Sequence, residues 1–325
     1  MTAKDNTSTK RPLIILTGPT AVGKTALSIG LAKAIQGEII SADSMQVYRG
    51  MDIGTAKITK EQMDGVPHHL IDIMDPSDSF HVMAFQQKCK EAMEDIYARH
   101  KIPILVGGTG FYIQSVLYDI SFTETDTDIE YRQELQKIAE EQGGYVLHAR
   151  LAKIDPEAAD EIHPNNVKRV IRALEFNHQT GEKISIHNEQ ERQKKSPYQF
   201  RYYVLSLPRE ILYDRINRRV DVMRRDGLVD EVKGLLQQGI TPNMVSMQGL
   251  GYKEIIDALQ GSCSFEEAFE RIKRETRHFA KRQFTWFRRE RDVTWIDKET
   301  YENEDAILQY MIEDLKNVHI LPADQ

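Results

Sequence analysis

The residues with the clearest chemical meaning form one loop of the pattern G-x-x-x-x-G-K-T: Gly18, Pro19, Thr20, Ala21, Val22, Gly23, Lys24 and Thr25. Backbone N–H groups in such a loop turn toward an anion, and the helix that follows presents its positive N-terminal end. Lys24 adds a point charge, and the Thr25 hydroxyl can ligate Mg²⁺. The loop therefore predicts a di- or triphosphate substrate, with magnesium as the cofactor.

Strand and helix patterns alternate around this loop, which is typical of a parallel α/β sheet. We predict strands at 13–17, 38–41, 69–73 and 104–106, and helices at 24–35, 81–100 and 110–117. Ligands of open parallel sheets bind beyond the carboxyl ends of the strands. The loops that leave those ends, 18–25, 42–46 and 107–110, are therefore expected to build the site.

The pattern changes after Tyr118. Residues 121–128 read as an acidic linker, and helical stretches follow at 129–142 and 166–177. We interpret 123–199 as a helical insertion into a core made of 1–122 and 200–325. The core resumes with a strand at 202–207, a long helix at 209–238, and a last long helix that begins at Ser264 with a capping box to Glu267. The expected fold is a P-loop NTPase-like parallel sheet flanked by helices, with a helical insertion domain.

Asp43 is the first candidate for a catalytic carboxylate. Many phosphate-loop enzymes place a magnesium-ordering Asp at the end of an apolar strand, but here the strand at 104–106 runs directly into Gly107. Asp43 follows the neighbouring strand in a polar segment, where it could act as general base on an amine. The alternative is a turn or helix-cap Asp without a catalytic role, and the sequence leaves both open.

Other polar residues could also line a ligand site. Thr109 offers a hydroxyl beside a planar substrate, unless the 107–110 turn merely links a strand to a helix. Arg215 and Arg219 lie one helical turn apart, so both can face one diphosphate, but a solvated basic helix face explains them equally well. The adjacent His68 and His69 lack a metal-ligand spacing, and we interpret them as structural.

Charge is unevenly distributed along the chain. The 325 residues carry a formal net charge of −7, yet residues 163–203 contain eight Lys or Arg against four Glu, and residues 271–291 contain nine against two. This segregation favours a polyanionic partner, although a basic run is also often a solvated helix face. No apolar run in the sequence predicts a membrane span or a secretory signal, and we expect a cytoplasmic protein.

Together these segments resemble the bacterial tRNA dimethylallyltransferases, the IPP transferase family. The resemblance follows nearly the whole chain in order, through the segments 18–20, 24–25, 43–48, 51–57, 67–69, 107–109, 163–165, 172–175, 249–252, 280–283 and 285–286. It departs at Ile58, where the family often has proline. With two cysteines the chain cannot form the zinc finger of the eukaryotic relatives, so the resemblance is to the bacterial type.

The resemblance implies transfer of the dimethylallyl group from dimethylallyl diphosphate to N6 of the adenosine at position 37 of tRNA, 3′ of the anticodon, with release of diphosphate. It implies that Asp43 is the base on the adenine amine, that Lys24 and Thr25 with Mg²⁺ neutralise the diphosphate, and that Arg219 grips it. The insertion would clasp the anticodon stem-loop of a monomeric enzyme. The tRNA contacts that the resemblance implies are Asp43, Ser44, Met45, Gln46, Thr109, Lys168, Arg169, Val170, Ile171, Arg172, Gln248 and Gln283.

Three other functions stay open on the sequence. A nucleoside or nucleotide kinase would use the same loop for ATP, but the missing strand-end acid and the basic insertion disfavour it. An isopentenyltransferase acting on free adenine nucleotides would not need the basic insertion. A non-catalytic RNA-binding protein would not need Lys24 and Thr25 beside Asp43. Phosphate transfer, prenylation of free AMP, and RNA binding without turnover distinguish the three.

Overall fold

The sheet that carries the phosphate loop lies in one of two units. The computed structural model describes residues 10–122 and 129–322, so most of the expected acidic linker lies outside the described residues. By its internal contacts the chain divides into a unit of Met1–Leu117 with Ser196–Gln325 and a second unit of Tyr118–Lys195. The second unit covers most of the segment that we interpret as an insertion.

A parallel sheet forms the centre of the first unit. Among the described residues its strands are β1 (Pro12–Thr17), β2 (Glu38–Ala42), β3 (His68–His69), β4 (Pro103–Gly107), β5 (Gln199–Ser206) and β6 (Val293–Asp297). Their order is β3-β2-β4-β1-β5-β6, and every neighbouring pair is parallel. This order confirms the α/β prediction. It also brings the carboxyl ends of β2, β4 and β1 side by side.

The first helices lie in the same unit: α1 (Lys24–Ile35), α2 (Val82–Ala98) and α3 (Gly110–Leu117). Both α1 and α3 have the predicted bounds, because the loop that starts each helix and its apolar periodicity are local signals. On α1, Leu27 and Leu31 are buried in a core that also contains Leu16 of β1 and Ile104 of β4. This packing holds α1 in the core of the sheet unit, with its first residue, Lys24, still inside the phosphate loop.

The second unit is helical, with its own apolar core. Its helices among the described residues are α4 (Ile129–Gln142), α5 (Gly144–Ile154), α6 (Pro156–Glu161), α7 (Val167–Thr180) and α8 (Ile184–Gln193). Leu135, Leu147, Leu151 and Leu174 belong to that core. Of these helices, α4 and most of α7 were predicted, and α5, α6 and α8 were not, although α5 also carries buried apolar residues at helical spacing.

The chain then returns to the first unit with α9 (Arg209–Arg225), α10 (Leu228–Gln237), α11 (Tyr252–Leu259), α12 (Phe265–Phe287) and α13 (Glu304–Asn317). The single helix predicted at 209–238 is wrong, because Gly227 adopts φ +98° and ends the first helical run. Helix α12 begins as predicted: the Ser264 hydroxyl accepts the Glu267 N–H at 3.2 Å, and the Ser264 N–H donates to the Glu267 carboxylate at 2.8 Å.

The strand predicted at 69–73 is also wrong. Strand β3 ends at His69, because Leu70 and Asp72 adopt left-handed backbone angles with φ +63° and +56°. Two elements near the C-terminal end, β6 and α13, were not predicted. Within the described ranges, the helices are too short or too polar to cross a membrane.

A buried carboxylate fastens the far end of the sheet, away from the phosphate loop. Glu38 begins β2 and is 2% exposed, and its two oxygens contact His69 Nε2 at 2.7 Å, Arg99 Nη2 at 2.7 Å and Lys101 Nζ at 2.9 Å. Burial opposes ionisation of this carboxyl, but the hydrogen bonds from Arg99, His69 and Lys101 prevail and lower its pKa to about 2. His69 thus serves the sheet, in line with its structural interpretation.

Glu38→Gln is expected to lower the free energy of unfolding by about 2–3 kcal/mol at pH 7, because three cationic or polar partners lose their carboxylate. Since the folded-state pKa lies below the ordinary value of 4.5, this stabilisation is complete above about pH 4.5 and is lost as the pH falls through about 2. Urea unfolding across this range, with exposed Glu313→Gln as the matched control, measures the difference. A difference that stays constant down to pH 2 would contradict the assignment.

Candidate active site

Three loops meet where the sheet ends, as the strand order requires. The phosphate loop follows β1, the segment with Asp43 follows β2, and the 107–110 turn follows β4. The last paired residues are Thr17 with Gly107, and Ala42 with Gly107. The Thr109 N–H donates to the Ala42 carbonyl at 3.3 Å, so that the second and third loops remain connected beyond the sheet. The expectation that these loops lie together is confirmed.

Lys24 lies folded over the phosphate loop. Its ammonium donates to the carbonyl oxygens of Gly18 and Pro19, at 2.9 Å each. Burial of the ammonium and the positive charge of Arg219 lower the pKa of Lys24 to about 7, while Asp43 acts in the opposite direction. An anion in the loop would replace the carbonyl partners and favour the charged ammonium. Thr25, the next residue, is exposed in the first turn of α1.

Both arginines of the predicted pair on α9 reach this loop. Arg219 Nη1 donates to the Thr20 hydroxyl at 3.3 Å. Burial lowers the pKa of Arg219, and the Asp43 carboxylate counteracts that shift. The exposed Arg215 guanidinium lies beside Gly23. Both arginines therefore lie beside the phosphate loop, as their spacing of one helical turn predicts.

Asp43 lies in a turn beside the phosphate loop, as one of its two interpretations predicts. Its Oδ1 accepts the N–H groups of Met45 at 2.8 Å and Gln46 at 3.3 Å, which makes it a turn residue. Its charge also influences the pKa values of Lys24 and Arg219, so the carboxylate faces the cations of the phosphate loop. The turn therefore holds the Asp43 carboxylate close to Lys24 and Arg219.

The neighbours of Asp43 form a polar wall. The Ser41 hydroxyl donates to the Gln46 amide oxygen at 3.3 Å, and the Gln46 amide nitrogen donates to the carbonyl of Thr55 at 3.4 Å. Met45 packs beside Gly249, next to Gln248, whose exposed side chain donates to the Pro242 carbonyl at 2.6 Å. Ser44, Met45, Gln46, Thr109 and Gln248 thus lie in the unit that holds the phosphate loop.

The predicted tRNA contacts on α7 separate into two groups. Lys168, Arg169 and Arg172 are exposed on the second unit. Val170 and Ile171 are 0% and 4% exposed and belong to the apolar core of that unit. The prediction that these two side chains contact tRNA is therefore wrong, because helical periodicity turns them into the core. It is restricted to the three basic residues.

Glu231, which was not predicted to have a role, binds the backbone of the segment at 51–57. One carboxylate oxygen of Glu231 accepts the N–H groups of Asp52 at 2.8 Å and Ile53 at 2.7 Å. The other accepts the Gly54 N–H at 3.1 Å and the Tyr252 hydroxyl at 2.7 Å. Gln46 donates a hydrogen bond to the Thr55 carbonyl of this segment. Glu231 on helix α10 therefore stabilises the residues next to Asp43 indirectly. No local pattern in the sequence signals such a contact.

Helix α12 presents a basic face with one aromatic side chain. Exposed residues of this helix and Arg289, two residues beyond its end, line a groove: His278, Lys281, Arg282, Thr285, Trp286 and Arg289. The indole of Trp286 packs against Gly110 and meets Phe111 edge to face at a ring distance of 6.2 Å. The groove thereby adjoins the 107–110 turn, and its charge and aromatic content suit an unpaired nucleic-acid strand.

Comparison with known proteins agrees with these observations. A family model described as IPP transferase matches residues 46–290, and one described as isopentenyl transferase matches residues 12–79. A curated tRNA dimethylallyltransferase from Lachnoclostridium phytofermentans is 58% identical over 311 residues, which cover 96% of this chain and 99% of the relative. One from Bacillus pumilus is 53% identical over 289 residues, covering 89% and 90%.

Solved structures lead to the same family. The tRNA isopentenylpyrophosphate transferase of Bacillus halodurans is 47% identical with a TM-score of 0.70, and the match covers 96% of this chain and 99% of that one. A eukaryotic dimethylallyltransferase acting on tRNA is 31% identical with a TM-score of 0.79, covering 97% and 81%. The chain therefore belongs to the IPP transferase family, the tRNA dimethylallyltransferases.

Proposed function

We propose that this chain transfers the dimethylallyl group of dimethylallyl diphosphate to N6 of the adenosine just 3′ of the tRNA anticodon and releases diphosphate. The convergence of three loops at the carboxyl ends of β1, β2 and β4 carries this proposal. The first loop contributes Lys24 and is joined by Arg219, the second contributes Asp43, and the third contributes Thr109. Cations for a leaving diphosphate and a base for an amine lie at one edge.

In the proposed reaction, a bond forms between N6 and the first carbon of the dimethylallyl group while the bond from that carbon to the diphosphate oxygen breaks. Asp43 accepts the proton that N6 loses. Negative charge develops on the leaving oxygen, and Lys24, Arg219 and the N-terminal N–H groups of α1 stabilise it because they are positioned in advance. Thr109 borders the space between the two reactants.

Magnesium fits this site through the phosphate loop. In the part of the chain that the structure describes, no group of three or more His, Cys, Asp or Glu side chains could hold a metal on its own. Mg²⁺ usually keeps several waters and binds through few protein ligands together with substrate phosphates. We assign the protein ligand to the exposed Thr25 hydroxyl. When bound, the ion would neutralise diphosphate charge.

Basic side chains in each unit are proposed to contact the anticodon stem-loop of tRNA. They are Lys281 and Arg282 on α12 with Arg289 just after it, and Lys168, Arg169 and Arg172 on α7. Such residues position a phosphate backbone without reading its sequence, while Trp286 offers a ring for an unpaired base. The target adenosine has to be turned out of its stack to reach Asp43.

Salt is expected to weaken the binding of tRNA much more than the binding of diphosphate. Raising the salt concentration from 50 to 200 mM should weaken tRNA binding about 10²-fold if four to five phosphates are contacted, and diphosphate binding less than about 10-fold. Fluorescence anisotropy for tRNA and calorimetry for diphosphate measure this. Lys281→Ala should reduce the salt slope by about one, whereas Lys33→Ala in the last turn of α1 should leave it unchanged. A flat response of tRNA would contradict the proposed surface.

The molecule that accepts the dimethylallyl group distinguishes this function from the alternatives. The protein is incubated with Mg²⁺ and dimethylallyl diphosphate plus either unmodified tRNA or AMP, and separately with ATP and nucleosides. The proposal expects diphosphate release only with tRNA. Release with AMP would show a free-nucleotide isopentenyltransferase, and phosphate transfer from ATP would show a kinase.

We also propose that the protein acts as a monomer in the cytoplasm. The phosphate loop, Asp43 and Thr109 all come from one chain, so no partner copy is needed to complete the site. Light scattering of the active protein tests this, and a dimer at assay concentration would overturn it.

A further inference from the structure

Gln283 of α12 lies between two of the site loops and is only 6% exposed. Its side-chain oxygen accepts the Thr20 N–H at 2.9 Å, and its side-chain nitrogen donates to the Gly108 carbonyl at 2.9 Å. One amide thus joins the phosphate loop, the turn after β4 and a helix distant in sequence. Both ends of the amide are used, so Gln283 is engaged inside the protein.

The Gln283 amide bridge lies just beyond the last paired residues of β1 and β4. The pairing of β1 with β4 ends at Thr17 and Gly107, and the residues that follow belong to the two loops. Beyond these residues the ladder no longer connects the two loops, and the Gln283 amide contacts both of them. The contact is close: a Cβ on Gly108 would lie 2.2 Å from the Gln283 amide nitrogen, which only glycine avoids.

We propose that Gln283 is a positioning residue that sets the distance between the phosphate loop and the 107–110 turn. The inference rests on the proposed function, since those loops would hold the leaving diphosphate and border the target adenosine. It replaces the expectation that Gln283 contacts tRNA with a different task. Misplacing reacting groups by even about 1 Å is costly in rate, so a bridge of this kind matters for the chemical step.

The direction of the amide makes the proposal testable. Glutamate has the shape of glutamine, and as a carboxylate it can still accept the Thr20 N–H, but its other oxygen would face the Gly108 carbonyl and repel it. A protonated glutamic acid can donate to that carbonyl and restore the bridge. Leucine of similar size can do neither at any pH. The two substitutions therefore differ in their pH dependence and in what they do to Thr20.

The experiment compares Gln283→Glu and Gln283→Leu with wild type and with Gln309→Glu, an exposed position on α13. Single-turnover rates of tRNA prenylation at saturating substrates are measured from pH 5.5 to 8.5. At pH 8 both Gln283 variants should be slower by about 10-fold or more, because a buried acceptor loses its donor. Relative to wild type at the same pH, the glutamate variant should recover as the pH falls, and the leucine variant should not.

Amide hydrogen exchange at Thr20 gives a readout that is independent of activity. Protection should persist with Gln283→Glu and be lost with Gln283→Leu, whereas Gln309→Glu should match wild type. Saturated rates within about 2-fold of wild type in the leucine variant, or an effect on tRNA affinity alone, would overturn the proposal. If wild type itself transfers no dimethylallyl group, the proposed function fails, and the Thr20 exchange pattern still decides whether Gln283 forms the bridge. If the leucine variant does not fold, the pH recovery of the glutamate variant decides.

Discussion

Asp43→Asn is expected to lower the single-turnover rate of dimethylallyl transfer about 10²-fold or more, because the amide cannot take the proton that N6 loses. Asparagine keeps an oxygen that can accept the Met45 and Gln46 N–H groups, so the turn is preserved. Asp43→Ala removes both the base and the turn acceptor, and it should be at least as slow. The asparagine variant therefore isolates the loss of the base from the loss of the turn.

Binding measurements on the Asp43→Asn variant provide the control for this prediction. Diphosphate affinity should not fall, because the substitution removes a negative charge that lies near Lys24 and Arg219 and would repel the diphosphate. Affinity for tRNA should also persist, and Asp305→Asn, an exposed acid of α13, should react at the wild-type rate. An asparagine variant that transfers at nearly the wild-type rate would assign Asp43 to the turn alone.

Lys24→Met is expected to weaken diphosphate binding and slow transfer by about 10² to 10³-fold, as for the loss of one preorganised donor to a developing anion. The pH dependence is more specific. Without an anion the pKa of Lys24 is about 7, and a bound diphosphate raises it because an opposite charge lies beside the ammonium. Above about pH 7 binding should therefore take up a proton, and affinity should fall as the pH rises.

Calorimetry between pH 6 and 9, in buffers of different ionisation enthalpy, measures this proton uptake. Diphosphate itself also titrates, so the informative quantity is the difference between wild type and Lys24→Met, in which the lysine contribution is absent. An identical proton uptake in both proteins would show that Lys24 does not titrate on binding.

The phosphate loop and its helix could be predicted because their signals are local. The spacing of glycines, Lys24 and Thr25, followed by an apolar period of a helix, gave the bounds of α1 without error. The same local reading could have found the break at Gly227, which follows two arginines at the end of α9 and is a typical helix stop. Helical periodicity could also have predicted that Val170 and Ile171 face the core.

The supports of the site could not be predicted in this way. Glu231 holds the segment at 52–54 from another helix, and Gln283 joins two loops that lie 263 and 175 residues away along the chain. Gln283 lies in the segment 280–283 that carries the family resemblance, but neither its position nor that of Glu231 reveals the partner inside the protein. Such contacts depend on the assembled sheet, which is why the sequence indicates the reacting groups better than it indicates what holds them.

Prenylation of one defined adenosine in tRNA changes the mass of one fragment of the tRNA. The most direct measurement incubates the protein with Mg²⁺, dimethylallyl diphosphate and an unmodified tRNA, digests the product, and weighs the anticodon-loop fragment by mass spectrometry beside a matched tRNA with guanosine 3′ of its anticodon. We expect a gain of one dimethylallyl group on that adenosine, one diphosphate released for each group transferred, and no reaction with the guanosine control. An unchanged mass, or an equal gain in the control, would contradict the proposed function.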